Sequence, residues 1–224
     1  MIRVLIYAAG KGRRWGDYMN TKKQLVVIDG EVLLHRTVRQ CHEFAECEIF
    51  LICPVGDDRF FHPDVVMVEK DVGENEIVSV DKCLNSRDLW NVHGRTVCVL
   101  GDVWFEDKDI RMALTLKAPT FVRYNREGLS MLTGKPWGED HACSFYPQDH
   151  ETVLNALNTY DYEKHHTPWT HVMQTFIARD GKIHRYETGG FTEDFDHPVE
   201  LKRWFSMRDK HRGEMLQCGI SQGV

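Results

Sequence analysis

The stretch that decides the fold is VLIYAAGKGRRWG, residues 4–16 of a chain of 224 residues. Its first four residues are apolar and predict a buried β-strand, and the glycines that follow predict a loop. Glycines let backbone N–H groups approach a ligand closely, and Lys11, Arg13 and Arg14 add positive charge. This combination indicates a site for phosphate groups, with a plain glycine-rich turn as the alternative on this stretch alone.

Two familiar phosphate-binding fingerprints do not fit the loop. A P-loop requires G-x-x-x-x-G-K-[ST], whereas Lys11 lies between Gly10 and Gly12. The dinucleotide fingerprint G-x-G-x-x-G requires a third glycine at the position of Trp15. Three basic residues in one loop also suit a triphosphate better than a pyrophosphate bound at a helix end. The loop therefore favours a nucleoside triphosphate and weakens an NAD-binding oxidoreductase as a candidate.

A second motif follows downstream, KKQLVVIDG at residues 22–30. A lysine directly before a buried strand can turn its ammonium back toward the glycine loop and hold a phosphate. Without the first motif, Lys22 and Lys23 would be interpreted as a solvated edge. The strand ends at the turn that Asp29 and Gly30 predict.

The composition limits the classes of partner that we expect the chain to bind. Lysine and arginine number 28 against 34 acidic residues, a formal net charge of −6, whereas a nucleic-acid binder usually carries a basic face. No apolar run reaches the ~18–20 residues needed to cross a bilayer, and the opening residues lack a signal-peptide pattern. We therefore expect neither a nucleic-acid nor a membrane partner.

The cysteines and histidines indicate a compartment rather than a metal site. Seven scattered cysteines without a C-x-x-C pair predict reduced thiols and a cytoplasmic location. A zinc site is not expected, because His165, His166 and His171 lack the usual ligand spacing and are interpreted as exposed loop residues.

Along the chain, apolar runs alternate with segments of helical period, which predicts an α/β fold with a largely parallel sheet covered by helices. No repeat or linker interrupts it, so we expect one domain over 1–224, with 123–140 as an inserted or substrate-covering region. The predicted strands cover 4–7, 25–28, 49–53, 65–68, 97–100, 120–123, 142–146 and 183–186, and the predicted helices cover 32–39, 76–84, 148–157 and 198–207.

Together, the two motifs resemble the opening of the NTP-transferase (nucleotidyltransferase) family with the GT-A-type fold. Members join a nucleoside triphosphate to a phosphorylated sugar, polyol, choline or similar group. The family opening is Ala-Gly-x-Gly-x-Arg-Met followed by Pro-Lys-x-Leu, and this chain departs from it at Arg13, Trp15 and Lys22. Because Lys23 occupies the position of the lysine in the family's Pro-Lys-x-Leu motif, the resemblance assigns the phosphate-binding role to Lys23 and only weakly to Lys22. The resemblance implies a three-layer α/β/α fold with a mostly parallel mixed sheet.

Two acidic motifs occur where the family has its metal ligands. Asp102 ends the strand run VCVLGD, and DFDHPVEL at residues 194–201 resembles Asp-x-Asp-x-Pro-x-x-Leu. Alone, each is an ordinary strand-end aspartate or an acidic helix cap. The resemblance implies that Asp102 and Asp196 flank one Mg²⁺, with Asp194 as a further ligand or an outer neighbour. Two clustered carboxylates would also repel each other in an empty site.

The resemblance also implies the reaction, in which a phosphate oxygen of the acceptor attacks the α-phosphorus and pyrophosphate is released. Arg14, Lys23, Asp102 and Asp196 are the expected catalytic residues. Arg14 and Lys23 are expected to face solvent, so that their removal would leave the fold intact. The nucleotide is expected to contact Ala8, Ala9, Gly10, Lys11, Gly12, Arg13, Arg14, Lys23, Asn75, Ser79 and Gly101.

The substrates are less sharply indicated. The segment GENEIVSV at 73–80 resembles the base-binding stretch of phosphocholine and methylerythritol-phosphate cytidylyltransferases, which favours CTP, with UTP next. The acceptor is a sugar phosphate, an alditol phosphate or phosphocholine. The oligomeric state, including a homodimer, stays open. Five aromatic residues could line the acceptor side, but core packing is the favoured interpretation for most of them: Trp104, Trp137, Trp169, Tyr146 and Tyr162.

Besides the weakened NAD-binding oxidoreductase, two rival functions remain. A GT-A glycosyltransferase would normally show Asp-x-Asp at the strand end, where this chain has Gly101-Asp102-Val103. A non-catalytic nucleotide-binding subunit would keep the fold without needing both acidic motifs, and this chain has both.

Overall fold

A computed structural model describes residues 1–10, 12–16, 18–70, 78–117, 119–123, 140–161, 164, 167–181 and 183–217. The strands are β1 (Ile2–Tyr7), β2 (Val27–Ile28), β3 (Glu31–Val32), β4 (Cys47–Pro54), β5 (Val66–Lys70), β6 (Thr96–Leu100), β7 (Val103–Trp104), β8 (Thr120–Arg123), β9 (Asp140–Phe145), β10 (His184–Glu187) and β11 (Glu193–Asp194). The helices are α1 (Leu33–Phe44), α2 (Val78–Asn85), α3 (Asp107–Thr115), α4 (His150–Asn158), α5 (Pro168–Asp180) and α6 (Pro198–Gln217).

Seven of these strands form the central sheet of the described part, in the order β10-β8-β9-β6-β1-β4-β5. The pairs β10–β8, β6–β1, β1–β4 and β4–β5 are parallel. Strand β9 runs antiparallel to both of its neighbours, β6 and β8. The sheet is therefore mixed and mostly parallel, as the resemblance implies.

Helices cover both faces of the sheet, because the side chains of its strands alternate between two apolar cores. On β1, Val4 and Ile6 face α1 and α3, where Leu34 and Ile110 belong to the same core. The intervening Leu5 and Tyr7 face α2, α4 and α5 and join the second core. The resulting order of layers is helix, sheet, helix, and the predicted three-layer α/β/α fold is confirmed.

A third, smaller core fixes the segments that flank the sheet. Trp204 of α6 is fully buried and packs in one cluster with Trp15 and Phe195. The hairpin β2–β3 turns at Asp29 and Gly30, which have φ of +56° and +82°, as a two-residue hairpin turn requires. The apolar cluster thus joins the glycine loop, the hairpin and the C-terminal helix.

Arg208 of α6 completes this junction with a charged contact. Its guanidinium donates to the two carboxylate oxygens of Asp29 at 2.7 and 2.9 Å and lies 4.3 Å from the centroid of the Trp204 ring. Such paired, stacked geometry is characteristic of arginine and favours a fixed orientation of the helix against the hairpin.

Several local predictions need correction. The helices α3 and α5 were not predicted, and the last helix extends to Gln217. His171 lies on α5 rather than in a loop. The cap of Thr167, whose hydroxyl accepts from Thr170 N, and the following Pro168 are start signals that could have revealed α5. Of the predicted insertion, Arg123 and Asp140 lie in β8 and β9, while 124–139 fall outside the described residues.

Within the described ranges, every helix is too short or too polar to traverse a lipid bilayer.

Candidate active site

The candidate site lies at the edge of the sheet where β1 and β6 end. These strands are parallel neighbours with Tyr7 opposite Leu100, so the residues that follow them emerge side by side. Gly101 N donates to Tyr7 O at 3.0 Å, and a Cβ on Gly101 would lie 3.1 Å from that oxygen. Glycine makes this approach without crowding, whereas a Cβ would be closer to the oxygen than most Cβ contacts are. The carboxyl edge of parallel strands is where α/β proteins bind ligands.

The glycine loop is anchored at its start by buried residues, and Arg13 and Arg14 within it are exposed to solvent. Ala8 and Ala9 are fully buried, and Ala8 N donates to Ile52 O at 2.8 Å on the neighbouring strand β4. Trp15, one of the departures from the family opening, is buried, and its indole N–H donates to Tyr18 O and Thr21 O. Trp15 is thus a core residue that holds the loop in place.

Lys23 connects the two predicted acidic residues. Its ammonium contacts the carboxylate of Asp102 and lies 3.1 Å from Asp196 Oδ1. Burial alone would lower the pKa of Lys23, but the charges of Asp102 and then Asp196 outweigh it, and the pKa is raised. Only 12% of the Lys23 side chain is exposed, so the expectation that it faces solvent is wrong. The cation is buried because two carboxylates surround it.

Arg14 reaches one of these carboxylates, that of Asp196, from the solvent side. Its Nη2 lies 2.9 Å from Asp196 Oδ2, and 61% of the side chain is exposed, as predicted. Since an exposed ion pair contributes little to stability, Arg14 can leave Asp196 for a ligand at small cost. Arg13 beside it is also exposed.

The backbone of Asp196 is held by a residue that sequence reasoning missed. Glu200 Oε2 accepts from Asp196 N at 2.7 Å and from His197 N at 2.9 Å, at the start of α6. Burial raises the pKa of Glu200, although these two hydrogen bonds oppose the shift. The signal was present, because a glutamate at the third position of a helix commonly reaches back to the backbone before it.

Two further polar groups lie beside the loop and were also missed. A Cβ on Gly10 would lie 3.6 Å from Lys82 Nζ and 3.7 Å from Gln24 Nε2. Lys82 belongs to α2, whose sequence has no phosphate-binding motif, so nothing in the chain signalled this placement. The ammonium of Lys82 adds positive charge beside Gly10 of the glycine loop.

The remaining predicted residues are placed as follows. Asp194 lies next to His141, with 3.9 Å between Oδ1 and Nε2. Lys11 and Asn75 fall outside the described residues, as does the side chain of Ser79. Trp104 and Trp169 are buried in separate cores, which agrees with the core-packing interpretation favoured for most of the aromatic residues. Trp137 and Tyr162 fall outside the described residues.

The donor set fits a divalent cation. Asp102 and Asp196 come from different parts of the chain, yet their carboxylates converge on one cationic group, the Lys23 ammonium. Magnesium is usually bound in this manner by one or two carboxylates together with phosphate oxygens. The two carboxylates and the neighbouring glycine loop at the carboxyl edge of the sheet therefore suit a metal–triphosphate complex.

Comparison with known proteins agrees with this geometry. The model of the MobA-like NTP transferase domain matches residues 4–164. A putative glucose-1-phosphate thymidylyltransferase from Bacillus anthracis is similar in structure, with a TM-score of 0.66 at 15% identity over 93% of this chain and 95% of that one. No curated protein sequence matches significantly.

Two similar structures are of enzymes named for CTP. The inositol-1-phosphate CTP transferase from T. maritima has a TM-score of 0.62 at 13% identity, covering 92% of this chain and 94% of that one. The CTP:phosphocholine cytidylyltransferase from Streptococcus pneumoniae has a TM-score of 0.60 at 13% identity, covering 92% and 98%. At these identities the likeness shows the shared fold alone.

Proposed function

The chain belongs to the MobA-like NTP transferase family and is a nucleotidyltransferase, and we propose that it transfers the nucleotidyl group of CTP to a phosphorylated small molecule. The acceptor class is a sugar phosphate, an alditol phosphate or phosphocholine. The observation that carries this proposal is the convergence of Lys23, Asp102 and Asp196 at the sheet edge beside the glycine loop.

The reaction forms a bond between an acceptor phosphate oxygen and the α-phosphorus, while the bond between the α-phosphorus and the bridging oxygen breaks. The electron pair leaves with pyrophosphate. Such a transfer requires positioning and charge neutralisation more than covalent help from the protein. Arg14, Lys23 and Lys82 are the described cations that can balance the triphosphate and the departing pyrophosphate.

We assign the cation site to Asp102 and Asp196, with Asp194 close by. A magnesium ion bound there would neutralise phosphate charge and orient the phosphates. In the structure both carboxylates hold Lys23, so binding of the metal–triphosphate complex requires this ammonium to exchange carboxylate partners for phosphate partners. Arg14 makes the same exchange at lower cost, because it is largely exposed.

The preference for CTP rests on two kinds of support. The segment at 73–80 resembles the base-binding stretch of cytidylyltransferases, and two structurally similar proteins carry CTP in their names. A site that hydrogen-bonds one base edge rejects other bases strongly, because its polar groups would be left unpaired. Six free cysteines among the described residues support a reducing, cytoplasmic setting.

Pyrophosphate release from a panel of triphosphates and phosphorylated acceptors tests the function. The wild-type chain should release pyrophosphate with CTP faster than with UTP, ATP or GTP, in the presence of Mg²⁺ and one class of acceptor. A dominant purine product would overturn the preference for CTP. Consumption of a nucleotide sugar, without use of any triphosphate, would instead identify a glycosyltransferase.

Variants Asp102→Asn and Asp196→Asn test the site itself. Each removes one anionic ligand and should lower turnover by roughly 10²–10⁴. Asp64→Asn is the matched control, because 67% of that side chain is exposed and Asp64 precedes the start of β5, whereas the site lies where the parallel strands end. If either site variant keeps more than about a tenth of wild-type turnover, that aspartate does not bind the metal during catalysis.

A further inference from the structure

A second group of potential metal ligands lies beside the site but shares no residue with the pair Asp102 and Asp196. His141 is near the start of β9, and Glu193 and Asp194 form β11. One donor atom from each residue lies within 4.8 Å of the others, and all three residues are buried. The sequence alone does not predict that these three residues meet, because β9 and β11 are far apart along the chain.

The donor set selects a class of cation. Magnesium and calcium prefer oxygen ligands, whereas an imidazole nitrogen with two carboxylates suits zinc, manganese or another divalent transition metal. Metal–nitrogen and metal–oxygen distances near 2.0–2.2 Å place ligand atoms about 3–4 Å apart. His141 Nε2 and Asp194 Oδ1 are already 3.9 Å apart, so modest side-chain rotation brings them onto one ion.

The electrostatics favour a cation at the same point. Glu193 and Asp194 are adjacent in sequence and 1% and 4% exposed, and neighbouring buried carboxylates repel each other. Buried charges are stable when they are paired or coordinate a metal.

We propose that His141, Glu193 and Asp194 bind a divalent transition-metal cation, in a site separate from the Asp102–Asp196 pair. Three protein ligands leave a further coordination position for water or a ligand oxygen. The ion would join β9 of the central sheet to β11. Because Asp196 follows β11 by two residues, loading the site would also stiffen the segment that carries Asp196.

Titration calorimetry of the full, untagged chain with ZnCl₂ alone tests the proposal, in buffer containing millimolar Mg²⁺ and no nucleotide. We expect one equivalent of zinc to bind, and the melting temperature to rise by about 5–10 °C at a hundredfold excess over Kd. His141→Gln should weaken binding at least tenfold, as should Glu193→Gln. Asp102→Asn should bind zinc like the wild type.

The control is His62→Gln, which alters a histidine pair on another part of the molecule, where the rings of His35 and His62 are 4.9 Å apart. Zinc affinity that falls in His62→Gln but not in His141→Gln would show surface binding and overturn the proposal. If the buried variants do not fold, the wild-type chain loaded with Co²⁺ decides instead. Visible absorption bands typical of nitrogen and oxygen ligands are expected, and their absence would contradict the site.

Discussion

Replacing Lys23 with methionine removes the ammonium between Asp102 and Asp196 while keeping most of the length of the side chain. At the 3.1 Å that separates Lys23 Nζ from Asp196 Oδ1, two unit charges attract by about 5 kcal/mol at an effective dielectric constant of 20. Desolvation offsets part of that attraction. Removing one partner of a buried pair typically costs about 3–5 kcal/mol, because the other charge stays buried.

For a chain of this size, that loss corresponds to a melting temperature roughly 6–20 °C lower than the wild type in the absence of metal. A divalent cation can occupy the place of the ammonium between the carboxylates. Added Mg²⁺ should therefore raise the melting temperature of Lys23→Met by more than it raises that of the wild type. Differential scanning calorimetry with and without Mg²⁺ measures both quantities.

Lys108→Met is the matched control. The Lys108 ammonium pairs with Glu106 at 2.7 Å, but 55% of its side chain is exposed, so its loss should cost at most about 1 kcal/mol. If Lys23→Met melts within the range of this control, or if Mg²⁺ stabilises variant and wild type equally, Lys23 does not neutralise the acidic pair.

Three other substitutions are expected to act at defined points. Gly101→Ala should lower the free energy of unfolding by about 1–3 kcal/mol in urea denaturation, because the new Cβ would crowd Tyr7 O and the Ala8 Cβ, each at 3.1 Å. An unchanged midpoint would show that these neighbours move aside freely. Glu200→Gln should lower kcat without changing the affinity for triphosphate, because it weakens the hydrogen bond that holds the backbone of Asp196. Equal losses of kcat and of affinity would indicate that the substitution disturbs the site as a whole. Burial first, and then the charge of His35, lowers the pKa of His62, so the unfolded chain takes up this proton at a higher pH than the folded one. The contribution of His62 to stability is therefore present above its usual pKa of about 6.5 and is lost as the pH falls below that value. Between pH 7.5 and 5.5, the melting temperature of His62→Gln should fall by less than that of the wild type.

The sequence predicts the centre of the fold well, because its strands are continuous apolar runs. Residues 97–100 and 4–7 can only be buried strands, and both lie in the middle of the sheet. Helix α5 was missed although Trp169, Val172, Met173 and Phe176 recur at the i, i+3, i+4 and i+7 spacing of one helical face, and all four are buried. Its capping residues, Thr167 and Pro168, carry the same information.

The site could be predicted only in part. The glycine loop and Asp102 follow strands directly, so their position at the sheet edge is a local property of the sequence. The burial of Lys23 is not local, because its partner Asp196 is 173 residues away in the chain. For the same reason the sequence treats Asp102 and Asp196 as repelling charges, whereas in the folded chain they share a cation. The shared contact of Asp102 and Asp196 with Lys23 depends on the register of β7 with β11.

The ribbon of β7 and β11 acts as the stem of a very long loop. Asp194 pairs with Val103, so the chain leaves the sheet edge just after Asp102 and returns just before Asp196. Everything between, including β8, β9 and β10, is enclosed by that stem. The entropy of closing a flexible loop grows only slowly with its length, so the surface connections between the enclosed strands and helices can change in length at little cost. Substrate range can thus change by insertion in these connections, while the two carboxylates that flank the stem keep their spacing.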